Sequence, residues 1–405
     1  MNNNKKTAFS QLGLGLVDKS EHGKYYPWQV YRRSSLLLAE AMKVYPDLYS
    51  KTAIKGCENC GSHLSFKECS VDKTHPKDLV GADFCRVRLC VGCQMRRSLK
   101  CFTTTVKIVH HLQQEHKNLQ FILLTLTVPN VTIDKLDDTV DHMFDSWNRL
   151  MNRNPVKRAK KGYLRCLEIT YNHKRDDFHP HFHALIPVNK SYFTGKYYLS
   201  QKKWLEMWQE STRQPEITQV DVRKVKADTD EEILKACGEI AKYSTKTWSS
   251  STKQSNRNFL GKTDELTYGV EGHLWIRDTP ELTAKIVAEL STILKGRRLL
   301  QYGGLMRDAK RELKLKDGED EGADLIHTDE EKISKCKCPV CEGDLVKTEY
   351  AWRNAISDYK AVRSTPLSEI EDDMDTPEAK KKKAESQKRM IKEDWNDFLN
   401  QGKPV

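Results

Sequence analysis

Three groups of residues in this chain have the types and spacing to do chemistry. His181 and His183 stand two apart in the run His179-Pro180-His181-Phe182-His183-Ala184-Leu185-Ile186. On a strand, alternate side chains share a face, so both imidazoles point the same way, roughly 6–7 Å apart along the chain, which suits one divalent cation. The neighbouring apolar run, Tyr163 to Tyr171, places Leu164, Cys166, Glu168 and Thr170 on one face. Glu168 is then a carboxylate in mid-sheet, where an unpaired charge is costly. Two imidazoles and a carboxylate leave coordination positions open for a phosphate oxygen and water. The plainer reading makes the histidines surface residues of an amphipathic strand, and the buried-type position of Glu168 argues against it.

The second group lies on a helix expected over 230–247. Glu239, Tyr243 and Lys246 fall at i, i+4 and i+7, within a stripe of roughly 60°. The core stripe of that helix, Ile233, Cys237 and Ile240, lies about 100° away, so the tyrosine stands at the edge of the core. A tyrosinate attacks a phosphodiester covalently when a metal or cation lowers its phenolic pKa, and Lys246 is close enough to help. Taken alone, the same three residues form an ordinary solvated face; the paired histidines give the tyrosine a reason to be there.

The third group is cysteine. Cys57-x-x-Cys60 and Cys90-x-x-Cys93 supply two thiolate pairs, the second inside a basic run with Arg86, Arg88, Arg96 and Arg97. Two such pairs make a closed, tetrahedral, structural zinc site. The interval between them exceeds the usual ribbon spacing, and Cys69 and Cys85 remain alternatives. Cys336, Cys338 and Cys341 form a second knuckle that lacks an obvious fourth ligand, with His327 as a candidate for a second zinc.

The elements that must hold these groups follow from length and periodicity. The chain has 405 residues, which at about 150 per domain gives two to three domains. Phe121 to Val128 reads as a buried strand and Asp134 to Met151 as an amphipathic helix. Tyr163 to Tyr171 and His181 to Pro187 form a hairpin across the polar turn Asn172 to His179. A helix Gln201 to Ser211, a strand near Ile217 to Val225 and a helix opening at Thr279-Pro280-Glu281 and ending near Gly296 complete the region. We expect an N-terminal helical extension (1–56), a zinc-binding module (57–107), a catalytic domain (108–304), and a charged, helical or disordered C-terminal region with a cysteine knuckle (305–405).

Net charge is +11, from 68 Lys and Arg against 57 Asp and Glu, concentrated in blocks 1–107 and 151–260 on either side of an acidic helix. That favours a polyanion such as DNA, with Arg86, Arg88, Arg96, Arg97, Lys157, Arg158, Lys160 and Lys161 as candidate phosphate contacts. No apolar run is long enough for a membrane span and no secretory signal is readable, so a cytoplasm is expected and most of the twelve cysteines should be reduced.

Four stretches in order resemble the HUH endonucleases: Phe121 to Asn130, Leu167 to Asn172, His179 to Ile186 and Glu239 to Lys246. More narrowly the chain resembles the replication initiators (Rep proteins) of small rolling-circle plasmids of Gram-positive bacteria. Phe84 to Cys90, Cys93, Arg96-Arg97-Ser98, Gly296-Arg297-Arg298 and Tyr302-Gly303-Gly304 add to the likeness, which covers residues 55–315. The resemblance implies an α+β fold with an HUH-type central antiparallel β-sheet flanked by helices. It implies Mg²⁺ or Mn²⁺ on His181, His183 and Glu168, a nucleophilic Tyr243 with Lys246 as companion, and Glu239 as the water-activating glutamate of one branch. Plasmid origin DNA, a host helicase, DNA polymerase and single-strand binding protein, and a possible homo-oligomer, are the implied partners. Val91-Gly92 departs from the proline-containing sequence many relatives have there, and the region after Gly304 has no assignable counterpart. A transposase or conjugative relaxase shares the chemistry. A histidine-triad nucleotide hydrolase fits poorly because Pro180 interrupts the strand, and a non-enzymatic zinc DNA-binding protein would leave Tyr243 idle.

Overall fold

The computed structural model describes residues 16–19, 25–172, 175–225, 230–245, 280–320, 322–328 and 337–367. In chain order the elements are β1 (Val17–Lys19), β2 (Tyr25–Pro27), α1 (Trp28–Val44), α2 (Lys51–Asn59), β3 (His63–Cys69), β4 (Asp78–Ala82), α3 (Val91–Glu115), β5 (Leu119–Thr127), α4 (Ile133–Asn152) and α5 (Asn154–Ala159). They continue with β6 (Gly162–Asn172), β7 (Asp177–Asn189), α6 (Gln201–Thr212), β8 (Val220–Val225), α7 (Asp230–Thr245), α8 (Pro280–Ile293), β9 (Leu300–Gly304), α9 (Leu305–Glu312), β10 (Leu345–Arg353) and β11 (Asp358–Pro366). The class is α+β with antiparallel sheets, as expected.

The larger sheet has the order β8-β5-β7-β6-β9, every neighbour antiparallel. It is covered on both faces, which is why β5 reads as a nearly continuous apolar run. On one face Ile122, Leu124, Leu126, Leu167, Ile169, Phe182 and Ile186 pack with Val140, Met143 and Trp147 of α4 and with Trp204 and Trp208 of α6. On the other, Phe121, Leu164, Cys166 and Leu185 meet Ile108, Val109 and Leu112 of α3 and Ile233, Ala236, Cys237 and Ile240 of α7. The hairpin is longer than the sequence suggests. Pairing runs to Asn172↔Asp177, and Pro180 lies inside β7 opposite Ile169, where the missing N–H is tolerated.

The smaller sheet, β11-β10-β3-β4, joins residues 63–82 to residues 345–366, far apart in sequence. The region beyond residue 305, expected to be charged and helical or disordered, supplies two strands to the sheet that begins at His63. Burial explains this: Trp352 and Tyr359 pack with Trp28, Leu64 and Phe66 in one core. Glu68, fully buried on β3, is met by Lys73 at 2.6 Å, Lys77 at 3.3 Å and the Tyr350 hydroxyl of β10 at 2.9 Å. The charge block Lys380 to Lys383 lies outside the described residues.

The Tyr302-Gly303-Gly304 stretch has a steric reason. Gly304 sits opposite Gly162 at the edge of the sheet, with φ of +54°, and a Cβ there would lie 2.5 Å from the Lys161 carbonyl oxygen. Both the left-handed backbone and the close approach require glycine. Gly304→Ala is expected to lower stability by about 1–3 kcal/mol, read as the shift of the urea-unfolding transition.

Candidate functional site

Strand β7 lies between β5 and β6, and its register sets the first site. His181 stands opposite Glu168 on β6 and Thr127 on β5; His183 stands opposite Cys166 and Thr125. All belong to the face that also carries Leu164 and Leu185. Glu168, His181 and His183 are each buried, and His181 Nε2 and His183 Nε2 lie 3.1 and 3.4 Å from the same oxygen, Glu168 Oε2. Their three ligand atoms lie within 4.8 Å of one another. Edges of that length fit one divalent ion at ligand distances of about 2.1 Å. The other ring nitrogens are engaged elsewhere: His181 Nδ1 donates to the His179 carbonyl at 3.0 Å, and His183 Nδ1 is 3.0 Å from the Thr125 hydroxyl. With Nδ1 carrying the proton, the Nε2 lone pairs would be free to ligate an ion at the common point, the arrangement of a metal-ligating histidine with a supporting partner; with no ion there, Nε2–H can instead donate to Glu168.

The electrostatics agree with the geometry. Burial pushes the Glu168 carboxyl up, but the two imidazoles outweigh it and hold the group below the usual carboxylate range. His179 stacks on His181 with ring centroids 4.9 Å apart and is pushed down to about 4, first by burial and then by the neighbouring imidazole. It stays neutral near pH 7 and stands outside the three-ligand group.

Helix α7 covers this face, its Ile233, Ala236, Cys237, Ile240 and Ala241 packing in one cluster with Leu164, Cys166 and Leu185. Ser98 of α3 donates to the Ala241 carbonyl at 2.7 Å and fixes the helix against its neighbour. Glu239 and Tyr243 are positions of α7, their side chains outside the description, and Lys246 lies outside the described residues. Thr125 and Thr127 were missed by the sequence reading. Their signal was the alternation Leu124-Thr125-Leu126-Thr127, polar residues on the histidine face of an otherwise apolar strand.

The first cysteine group differs in one member from the two expected pairs. The sulfurs lying within 4.8 Å of one another are those of Cys60, Cys85, Cys90 and Cys93. Cys57, in the last turn of α2, is outside that set and 3.7 Å from Cys85. Separations of 3.5 Å for Cys60–Cys90 and 3.7 Å for Cys60–Cys93 and Cys85–Cys93 match the edges of a tetrahedron with metal–sulfur distances of about 2.3 Å. The turn at Arg86, with φ of +60°, brings Cys85 in and donates the Arg86 N–H to Cys93 Sγ at 3.3 Å. Cys90 is the N-cap of α3 with Cys93 in its first turn, where the helix terminus favours thiolate. The group can hold a metal ion.

In the second knuckle, Cys338 and Cys341 meet Cys69 and His75. Cys336 lies outside the described residues. His327 is not part of this group: its Nδ1 is 2.8 Å from Asp324, three residues away.

The eight basic residues divide into two sets. Arg86, Arg88, Arg96 and Arg97 each bond within the chain, Arg96 buried, Arg88 and Arg97 half-buried and Arg86 exposed. Arg86 donates to the Ala323 carbonyl at 2.9 Å, Arg88 pairs with Glu319 at 3.2 Å, Arg96 donates to the carbonyls of Leu325 and Ile326, and Arg97 to those of Val87 and Arg86. Three of them clamp the segment around 319–326 onto α3 and the turn before it. Lys157, Arg158 and Lys161 are exposed, with Lys160 half-buried beside them.

The family profile described as replication protein matches residues 77–360. The chain is similar to a Protein rep of Bacillus amyloliquefaciens, 33% identical over 334 residues, which cover 78% of this chain and 90% of that one. It is 32% identical to a Protein rep of Streptococcus pneumoniae over 343 residues, 84% and 96% of the two chains. A Protein rep of Staphylococcus aureus is 44% identical over 191 residues, 47% and 80% of the respective chains. No solved structure matches the chain.

Two outcomes follow from this geometry. Thr125→Val, which keeps the volume and removes the hydroxyl beside His183 Nδ1, should weaken Mn²⁺ binding by about 10–100-fold in a calorimetric titration. Cys85→Ser should release metal from the first cysteine group while Cys57→Ser retains it, as read by elemental analysis of the purified chain.

Proposed function

This chain belongs to the replication-protein family, and from that premise we propose that it initiates rolling-circle replication of a small plasmid by nicking one strand of the double-strand origin. The observation that carries the reading is the Glu168, His181 and His183 group on the sheet face that α7 covers. Its donor set suits Mg²⁺ or Mn²⁺, which when bound supplies electrophilic polarisation of the scissile phosphate.

Tyr243 is the nucleophile. Its phenolic oxygen forms a bond to phosphorus as the bond to the 3′ oxygen breaks, giving a 5′-phosphotyrosine and a free 3′-OH that primes synthesis. Lys246 favours the phenolate electrostatically; the phenolic proton leaves to solvent and the departing 3′ oxygen takes one up from solvent, so the reaction is proton-neutral. Glu239, one helical turn before the tyrosine, activates water at termination as a general base. The buried pair of imidazoles, each held by a second hydrogen bond, supplies a rigid frame that need not reorganise when the phosphate arrives.

Domain roles follow the same reading. The nicking domain is read over 108–304, except that its expected start falls inside α3 (Val91–Glu115), a single helix that serves both the cysteine tetrad at its first turn and the core of the large sheet further on; the zinc-binding module and the N-terminal extension precede it. The exposed set Lys157, Arg158 and Lys161, with Lys160, meets origin phosphates; the four arginines of the first basic run serve the fold around it. The chain acts in the bacterial cytoplasm with a host helicase, polymerase and single-strand binding protein, and a homo-oligomer fits origin recognition.

Supercoiled plasmid carrying the cognate origin tests the reaction. Wild-type protein with Mg²⁺ should give open circles with protein covalently attached, and EDTA or His181→Ala should abolish both. Tyr243→Phe should bind the origin normally while nicking falls at least about 10³-fold. A nucleotide found by mass spectrometry on another tyrosine would overturn the assignment. In binding titrations, replacing Lys157, Arg158 and Lys161 together with Gln should reduce the log–log salt slope by about 0.9 per lost phosphate contact.

A further inference from the structure

Beyond the nicking reaction, the meeting of β3 with β10 creates a site of its own. Cys69 closes β3, His75 lies in the connection to β4, and Cys338 and Cys341 occupy the knuckle that leads into β10. Because Leu345 of β10 pairs with Cys69 of β3, these turns face one another at one end of the smaller sheet. Cys69 Sγ is 3.5 Å from Cys341 Sγ, Cys338 Sγ is 3.4 Å from His75 Nδ1, and the four ligand atoms all lie within 4.8 Å of one another.

We propose that Cys69, His75, Cys338 and Cys341 form a second structural zinc site that clips the C-terminal hairpin to the N-terminal sheet. Three features point to a metal rather than to packed thiols. His75 turns Nδ1 into the cluster and Nε2 to Asp72 Oδ2 at 3.5 Å, so its second nitrogen faces a carboxylate, the usual support of a zinc-bound imidazole. The backbone N–H groups of Val71 and Asp72 both donate to Cys69 Sγ at 3.4 Å, an arrangement that stabilises thiolate. On the other side Cys338 N–H donates to the Gly343 carbonyl at 2.8 Å and Glu342, at φ of +57°, donates its N–H to the Cys338 carbonyl at 2.9 Å, folding a tight knuckle around the sulfurs. A Cβ on Gly343 would lie 3.2 Å from Cys341 Sγ and 3.0 Å from Val71, so this turn is shaped to the cluster.

Three thiolates and one imidazole complete a tetrahedron with no open position, which makes the ion structural and selects zinc over hard cations. Its value to the fold is topological. Cys69 and Cys341 are separated by 272 residues, and an ion between them closes a very long loop whose entropy would otherwise favour detachment of β10 and β11. The ligand set also differs from the Cys336, Cys338 and Cys341 knuckle read from the sequence, since Cys69 and His75 take the places that local spacing could not supply.

The test counts zinc in the purified, desalted full-length chain by elemental analysis. Cys341→Ser, at an exposed position where truncation disturbs little packing, and His75→Ala should each lose one equivalent relative to wild type. Cys336→Ser should lose none, and Cys341→Ser combined with Cys90→Ser should lose two. His75→Cys should restore the equivalent that His75→Ala loses, and with cobalt(II) in place of zinc it should change the spectrum from a three-sulfur to a four-sulfur signature. Unchanged zinc in both Cys341→Ser and His75→Ala overturns the proposal. So does a Cys69–Cys341 disulfide found by mass spectrometry in protein purified without oxidant.

Discussion

A carboxylate 2% exposed in the middle of a five-stranded sheet is the constraint on which this structure turns. Glu168 cannot stay ionised there alone, because burying an unpaired charge costs more than any single side chain returns. The antiparallel register answers it by setting His181 directly across and His183 one pair further on. A slip of one residue would send both imidazoles to the opposite face, into the cluster of Phe182, Trp147 and Met143, and would bring Phe182 against the charge. The apolar packing of α4 and α6 on that opposite face therefore fixes the chemistry of this one. Trp147 illustrates the coupling: its ring packs edge-on to Phe182, the residue between the two histidines, at 5.7 Å between centroids.

The histidine face is itself graded along the strands. Leu164, Cys166 and Leu185 give α7 and α3 an apolar seat, and two residues further along β6 the same face becomes polar at Glu168. A helix anchored on the first part is held rigidly beside the second. The burial of Cys166, Cys237 and Cys101 in that seat raises their thiols, which favours the protonated form, and none of the three belongs to a converging donor group among the described residues. Among the described residues, then, surroundings give most cysteines one of two settings: packing in the apolar seat, or convergence with other donors near the turns of the small sheet.

What the sequence made legible was local. Strand β5, the β6–β7 hairpin, helix α4 and the shared face of Glu168, His181 and His183 all follow from periods of two and 3.6 within a single run of residues. The errors lie where partners come from far along the chain. Cys57-x-x-Cys60 is a clean spacing motif, yet the positive φ of Arg86 carries Cys85 into the tetrad and leaves Cys57 beside it. Arg88 and Arg96 read as phosphate contacts because a run of arginines shows its charge and not its partners; Glu319 and the carbonyls of Leu325 and Ile326 claim them from more than two hundred residues away. The pairing of β10 with β3 is of the same kind, a non-local contact that no window of sequence contains.

The donor groups are also sorted by softness, and that sorting bears on which ion each can keep. Thiols gather at turns, four in the first group and three in the second, whereas the Glu168, His181 and His183 group on the sheet offers imidazole and carboxylate. Among divalent ions zinc binds nearly any such nitrogen and oxygen site more tightly than manganese or magnesium, so the sheet site cannot choose its metal by affinity. Its choice falls to geometry and supply. In the proposed reaction three protein ligands with open positions would accept an ion that keeps its waters and exchanges them for phosphate, which suits a hard cation. A closed thiolate group that holds zinc would place no such demand, since a complete tetrahedron has nothing to exchange and serves to hold the chain together.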